Sequence, residues 1–149
     1  MDVSGNIGAI LGQKRSEIFS VSPDQTVFEA IELLEQKNVG ALLVMQGGKL
    51  VGMVSERDYT RKVVLKGKRS REAKVSEIMS TDLKLVNPQE GVEACLRLMT
   101  DKRIRHLPVM EGERVIGIIS IGDLVKWVIA SQSAAIAHLE NYISGGYAG

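Results

Sequence analysis

Two short stretches of this sequence end an apolar run in the same way, with a serine three positions before an aspartate. They are GMVSERD at 52–58 and GIISIGD at 117–123, which pair Ser55 with Asp58 and Ser120 with Asp123. At a helix start this spacing allows a capping box, in which each side chain accepts from the other residue's backbone N–H. The same corner could bind a ligand, because helix N–H groups attract an anion and a carboxylate accepts from ribose hydroxyls. The residues alone leave both interpretations open.

Cationic residues near these corners favour the ligand-binding interpretation. Arg57 and Arg61 flank the first aspartate, and Arg105 with His106 precedes an apolar run in the second half of the chain. A helix cap needs no group of guanidinium side chains, whereas a phosphate does. Gly40 occupies the position equivalent to Arg105, where it could let a ligand approach the backbone or simply begin a strand.

The two corners belong to an internal duplication. With an offset of 65 residues, Val21–Val64 aligns without gaps on Val86–Ile129, which predicts two copies of one supersecondary unit. In each copy an extended segment ends before a proline, an amphipathic helix follows, and two apolar strands flank a glycine-containing turn. A second helix is predicted from about 57 to 65 and from about 122 to 131. We therefore predict an α/β fold of α+β type, with two β-α-β-β-α repeats packed around a pseudo-two-fold axis.

The predicted segments follow from the limits of the two copies. They are an N-terminal segment (1–16), repeat 1 (17–67), a basic linker (68–78), repeat 2 (79–131), and a C-terminal helix with a mobile tail (132–149). The linker cations are either solvated or face a phosphate. Both terminal segments have amphipathic parts that could cover the module or contribute to a dimer.

Composition limits the class of protein. The chain has 149 residues, and its 19 Lys and Arg nearly balance its 18 Asp and Glu, which argues against a general nucleic-acid binder. Its apolar runs are too short for a membrane span and no signal peptide is visible, which predicts a cytoplasmic protein without a membrane partner. Cys95 cannot form an internal disulfide and is expected as a small buried apolar residue. His106 and His138 lack further ligands nearby, so no metal is predicted.

The combined motifs resemble those of tandem CBS (cystathionine β-synthase) domain proteins. The doubled Ser-x-x-Asp ending is accompanied by RIRHLPVM at 103–110 and VSEIMSTDLKLVNP at 75–88. The stretch VGMVSERDYTRKV at 51–63 is similar to small stand-alone bacterial members, and the resemblance covers about residues 14–130. It implies a CBS pair, or Bateman module, that binds adenine nucleotides such as AMP, ATP, NAD or S-adenosylmethionine in clefts between the copies.

In such a pair each cleft combines the Ser-x-x-Asp strand end of one copy with the leading segment of the other. Carried over, the first cleft would comprise Met53, Ser55, Arg57, Asp58, Asp82, Leu83, Lys84, Ile104, Arg105 and His106. The second would comprise Lys14, Glu17, Ile18, Phe19, Val39, Gly40, Ile118, Ser120, Gly122 and Asp123. The aspartates would hold ribose hydroxyls, and the arginines, Arg61 included, would meet phosphates. Fewer cations adjoin the second corner in sequence, so the Asp58 cleft is expected to favour phosphate-bearing ligands.

These features predict a non-catalytic regulatory sensor that acts as a homodimer and signals to a protein effector. Its ligand would be AMP, ATP or NAD, with S-adenosylmethionine less favoured. The alternative is a structural or adaptor module with vestigial clefts, which the apolar terminal segments would favour. An enzyme is least favoured, because no acid–base pair, nucleophilic triad, Walker loop or metal-ligand set stands out.

Overall fold

The computed structural model of the protein describes residues 5–14 and 17–143. In chain order the elements are α1 (Ile7–Lys14), β1 (Ser20–Val21), α2 (Val27–Lys37), β2 (Ala41–Gln46), β3 (Lys49–Ser55), α3 (Glu56–Tyr59), a π-helical turn (Thr60–Val64), α4 (Val75–Ile78), α5 (Val92–Lys102), β4 (His106–Glu111), β5 (Arg114–Ser120) and α6 (Ile121–Asn141). In one sheet, β1 is parallel and β3 antiparallel to the central β2, while β4 and β5 form a second sheet. This is the α+β fold that the duplication predicts.

The first copy has the predicted order of elements, but the second copy lacks its first strand. Residues 82–87, predicted as extended, contain only Val86 as an isolated bridge residue. Asp82 and Asn87 at the two ends of this segment are residue types that disfavour strands. The strand predicted there is therefore not formed, although the helix and the two strands after it are.

Helices α2 and α5 end in the same way, which directs the strand that follows each. Asn38 and Arg103 have positive φ angles of 52° and 54°, and they close their helices as left-handed caps. The next N–H groups turn back to the helix: Val39 donates to the Leu34 carbonyl at 3.1 Å, and Ile104 does the equivalent. Each chain reversal sends the following strand back towards the corner that ends its hairpin.

Ser16–Leu85 and Pro108–Ile118 make up one compact unit, called the Asp58 unit below. Its buried core includes Val21, Val27, Ala30, Leu34, Leu42, Val44, Val54, Val63, Val75 and Ile78. The α4 segment leads into the second copy, yet it is docked in this unit. Val27 N–H donates to the Ala73 carbonyl at 2.9 Å, and Val75 N–H donates to the Gln25 carbonyl at 2.8 Å. The leading segment of the second copy therefore completes the unit built by the first.

The other compact unit, the Asp123 unit, comprises Met1–Arg15, Val86–Leu107 and Ile119–Gly149. Helix α1 is docked in it much as α4 is docked in the Asp58 unit. Ile7 N–H donates to the Glu90 carbonyl at 2.9 Å, and Val92 N–H donates to the Gly5 carbonyl at 3.3 Å. Because Ile7 and Ile10 are buried, the segment before the first copy contributes to the core of this unit.

Helix α6 runs without a break through Ser131, where the second repeat was predicted to end. The segment from 132 to 141 is therefore a continuation of the last repeat helix. The tail from 144 to 149, predicted to be mobile, lies outside the described residues. Over residues 5–14 and 17–143, no helix has the length and apolar character that a membrane span requires.

Gly52 in β3 has no room for a side chain. A Cβ at this position would lie 2.8 Å from Met79 Sδ and 2.9 Å from the Ser80 carbonyl oxygen. Gly52→Ala should force these neighbours apart and lower the free energy of unfolding by about 1–3 kcal/mol. Gly12→Ala in α1 is the matched control, because its Cβ would meet nothing within 4 Å and alanine favours a helix. Urea unfolding followed by circular dichroism measures both, and equal effects would show that Gly52 is not sterically constrained.

Candidate functional site

Both Ser-x-x-Asp corners are complete capping boxes. Ser55 N–H donates to Asp58 Oδ2 at 2.9 Å, and Asp58 N–H donates to Ser55 Oγ at 3.2 Å. The corresponding distances at Ser120 and Asp123 are 2.8 and 3.1 Å. Each serine has an extended backbone, and its helix begins at the next residue. The capping interpretation is confirmed at both corners, so any ligand binding depends on what else surrounds each carboxylate.

A lysine from the π-helical turn that follows α3 contacts the second carboxylate oxygen of Asp58. Lys62 Nζ lies 3.1 Å from Asp58 Oδ1, and the aspartate side chain is only 14% exposed. The same Nζ donates to the Ile78 carbonyl at 2.9 Å, which ties the corner to α4. Sequence reasoning missed Lys62, although its i,i+4 spacing from Asp58 was a signal that could have found it.

A lysine from the far end of the chain pairs with Asp123. Lys14 Nζ, at the end of α1, lies 2.8 Å from Asp123 Oδ2, and the two residues are 109 positions apart. Burial alone would raise the pKa of Asp123. The hydrogen bonds from Lys14 and Ser120 outweigh burial, so its pKa lies below the ordinary value of 3.8. The corner therefore presents a carboxylate at neutral pH.

Arg105 and His106 also lie near the second corner. Ile121 N–H donates to the Arg105 carbonyl at 2.8 Å, which places the backbone of Arg105 at the start of α6. The pKa of half-buried His106 lies below 6.5, because burial and the charges of Lys14 and Arg105 disfavour its protonated form, while Asp123 has the opposite effect. The second corner is therefore not poor in cations, contrary to what its sequence neighbours indicated.

Gly40 has the equivalent place in the Asp58 unit, where Glu56 N–H donates to its carbonyl at 3.2 Å. The resemblance groups Gly40 with the second cleft and Arg105 with the first. Their grouping into clefts stays a prediction, and the structure places the backbone of each beside the corner of its own copy. The reason in the first copy is the antiparallel pairing of Ala41 with Ser55, which brings the start of β2 to the end of β3.

The leading segment of the second copy lies beside the end of β3. Met53 N–H donates to the Ser80 carbonyl at 3.0 Å, and Ser80 N–H donates to the Met53 carbonyl at 2.8 Å. This isolated antiparallel bridge holds the chain that leads to Leu83 and Lys84, both half-buried, in the same unit as Asp58. Asp82 is exposed and lies 3.8 Å from Lys84.

The remaining predicted residues divide between the two units. The Asp58 unit contains Glu17, Ile18, Phe19, Val39, Arg57 and Ile118, and the Asp123 unit contains Ile104 and Gly122. Phe19 is half-buried with Lys37 Nζ 5.1 Å from its ring centroid, which indicates a packing contact. The assembly of each complete predicted set into one cleft stays a prediction.

An open cavity of about 410 Å³ in the Asp58 unit was not predicted as a pocket. It is lined by Phe28, Tyr59, Val63, Val64, Lys68, Arg69, Ser70, Arg71 and Glu72. The linker cations around it have partners within the protein: the Arg71 guanidinium lies 3.9 Å from the Phe28 ring centroid, and Lys68 lies 3.4 Å from Glu77. The linker therefore packs against α2 and forms one side of the cavity. No local sequence pattern indicates this arrangement.

Cys95 is fully buried in α5, as predicted for a small apolar core residue. Burial, with a contribution from Glu90, raises the pKa of its thiol to about 11. Among the residues that the structure describes, no group of three or more His, Cys, Asp or Glu side chains could hold a metal ion.

The CBS domain family model matches residues 8–65 and 75–130, and this chain belongs to the CBS domain family as a tandem pair of repeats. A mitochondrial CBS domain-containing protein of Arabidopsis thaliana is 43% identical over 129 residues, covering 83% of this chain and 63% of that protein. This chain thus spans less than two thirds of the length of that relative.

Solved structures agree with this assignment. A CBS-domain protein from Burkholderia ambifaria, described as a candidate for signal transduction, is 45% identical with a TM-score of 0.82, covering 85% of this chain and 96% of that one. A CBS domain pair solved in complex with 5′-methylthioadenosine and S-adenosyl-L-methionine has a TM-score of 0.76, covering 87% of this chain and 99% of that one. At 22% identity the second likeness concerns the fold alone. The predicted resemblance to tandem CBS proteins is confirmed.

His106 should make the stability of the protein depend on pH. Because its pKa in the folded state lies below the ordinary value of 6.5, the unfolded chain binds the proton more readily. The free energy of unfolding should therefore decrease as the pH falls below 6.5, and His106→Gln should flatten that decrease. Urea unfolding over a pH series measures it, with His138→Gln on exposed α6 as the control that should keep the wild-type slope. An unchanged slope in His106→Gln would contradict the prediction.

Proposed function

We propose that this chain is a regulatory module that binds adenine nucleotides beside its Ser-x-x-Asp corners and catalyses no reaction of its own. AMP, ATP and NAD are the proposed ligands, with S-adenosylmethionine less favoured. The module acts in the cytoplasm as a homodimer and transmits its ligand state to a protein effector. The observation that carries the proposal is the Lys14–Asp123 ion pair at a capped, ionised carboxylate.

Nucleotide binding can exchange each partner of this ion pair for a group of the ligand. Ribose hydroxyls can donate to Asp123, and a phosphate can accept from Lys14. Neither charge is then left unpaired, so binding avoids the penalty of a partly buried lone charge. Hydrogen bonds to charged groups contribute roughly 1.5–3 kcal/mol each, so a few supply much of the ~8 kcal/mol that micromolar binding requires.

The Asp58 corner supports the same exchange with different cations. Lys62 already contacts the carboxylate, exposed Arg57 lies one residue before it, and Lys84 follows the bridge at Ser80 in the same unit. Three cations on two segments suit a ligand with more than one phosphate. We therefore propose this corner as the tighter site for ATP or NAD.

The fold of the chain supports adenosine-type ligands. The CBS pair solved with 5′-methylthioadenosine and S-adenosyl-L-methionine holds two such molecules on a related fold. Both carry an adenosine, whose ribose could be recognised by an aspartate at a strand end.

An adaptor that regulates a partner protein, with vestigial nucleotide sites, is the second candidate. Exposed apolar side chains on α6 favour it, among them Ile129, Ile136 and Leu139, which are 57–59% exposed. Such side chains could contact another protein without any nucleotide. Binding of adenine ligands discriminates between the two candidates.

Asp58→Asn and Asp123→Asn should each weaken nucleotide binding at its own corner roughly 10–100-fold, because each removes a charged acceptor while keeping the side-chain shape. Isothermal titration calorimetry with AMP, ATP and NAD measures the affinities, after a thermal-shift screen that adds ADP, NADH and S-adenosylmethionine. Glu93→Gln is the matched control: exposed Glu93 pairs with Arg97 of the same helix, α5, at 3.0 Å, and its variant should bind nucleotides with the wild-type affinity.

Three results would reject parts of the proposal. Wild-type affinity in both aspartate variants would reject the two corners as binding sites. No binding of any adenine ligand, together with a stable complex with another protein, would establish the adaptor instead. Turnover of ATP or NAD by the purified protein, lost in the Asp58 variant, would contradict the absence of catalysis.

A further inference from the structure

Helix α6 carries an apolar stripe that the described residues of its own chain leave exposed. Its members on α6 are Val125, Ile129, Ile136 and Leu139, which are 45%, 59%, 57% and 58% exposed, and Ile143, 69% exposed, continues the stripe two residues after the end of the helix. With Gln132 they follow one another at intervals of four and three residues, which is the a/d repeat of a helix that pairs with another helix.

The stripe lies on a different face of α6 from the one that packs in the Asp123 unit. Leu124 is buried, and Trp127, Val128 and Ser131 at the following helical positions are half-buried. From Gln132 to Ile143, in contrast, every residue is exposed. Helix propensity alone contributes little to the stability of three exposed turns with an apolar stripe, because short isolated helices are marginally stable in water. This part of α6 therefore needs a covering partner.

We propose that the α6 helices of two copies of this chain pair in an antiparallel arrangement through this stripe. In the register that aligns the a and d positions, Val125 lies opposite Ile143 of the second copy, and Ile129 lies opposite Leu139. Gln132 lies opposite Ile136 near the two-fold axis. Every contact occurs twice, as a symmetric dimer requires.

The charges beside the stripe fix the direction of pairing. Lys126 and Glu140 flank the same edge of the stripe, 14 residues apart and near its two ends. In the antiparallel pair each Lys126 faces the Glu140 of the second copy, which gives two ion pairs. In a parallel pair the same residues face Ile121 and Ala135, so the charges gain nothing.

The area of the stripe agrees with what a dimer needs. Covering it and its flanking residues in both copies would remove on the order of 1,000 Å² from water, which reaches the lower range of specific interfaces. Small residues alongside it, such as Ser133 and Ala135, let two helix backbones approach closely. A second copy supplies the complementary stripe without requiring any other partner.

This interface specifies how the proposed homodimer forms and therefore rests on that proposal, but it is independent of nucleotide binding. Analytical ultracentrifugation of the full chain tests it. Ile136→Glu should raise the dimer dissociation constant roughly tenfold or more, because it places a carboxylate in an apolar layer. Ala134→Glu is the matched control, since Ala134 is exposed on the opposite face of the same turns and should leave the dimer unchanged.

Charge exchange tests the direction of pairing. Lys126→Glu and Glu140→Lys should each weaken the dimer roughly two- to fivefold at low salt, and the double exchange should restore it. Failure of the double exchange to restore the dimer would overturn the antiparallel arrangement. A dimer that Ile136→Glu leaves intact would overturn the interface while the homodimer stands. A wild-type chain that sediments as a monomer would overturn both, and nucleotide titration of that monomer would still test the ligand sites separately.

Discussion

The hydrogen bond from the Ser120 N–H to the Asp123 carboxylate, repeated at Ser55 and Asp58, determines where each hairpin ends and each following helix begins. Without it, the backbone N–H of the N-cap serine would lose the partner that the capping box supplies. The carboxylate oxygen must therefore stay close to the serine backbone for the cap to form. A ligand that contacts this carboxylate would bind to a group that already fixes the backbone. Recognition would therefore occur at a point where the backbone cannot easily move.

Features that follow from local spacing could be predicted from the sequence. The helices α2 and α5, the two hairpins and both capping boxes result from residue patterns within a few positions of one another. The contact between Lys14 and Asp123 joins residues 109 positions apart, and only the family resemblance suggested that they share a site. The length of α6 was underestimated because the repeat ends near Ser131, whereas the chain from Ser131 to Asn141 contains no glycine or proline to end a helix.

The equivalent carboxylates of the two corners pair with lysines from different parts of the chain. Trp127 stands 65 positions after Lys62, and Met79 stands 65 positions after Lys14. The first corner thus takes its lysine from the helical turn that follows it and the second corner takes its lysine from α1, while the residues at the two exchanged positions are apolar. The ion pair of Asp58 is a local contact that is kept as long as its helical turn is formed, whereas the ion pair of Asp123 depends on the docking of α1. Loosening of α1 would therefore alter the second corner and leave the first one paired.

The docking of α1 and α4 also bears on the origin of the molecule. Each compact unit contains a hairpin corner from one copy and the short helix that leads into the other copy. A single ancestral copy with this architecture would not pack its own leading helix and would instead receive the leading helix of a second chain, as in a swapped dimer. Gene fusion of two such chains would give the present order of elements without changing a contact. Separating the repeats by cutting the linker should thus yield two fragments that complement each other, rather than two independent domains.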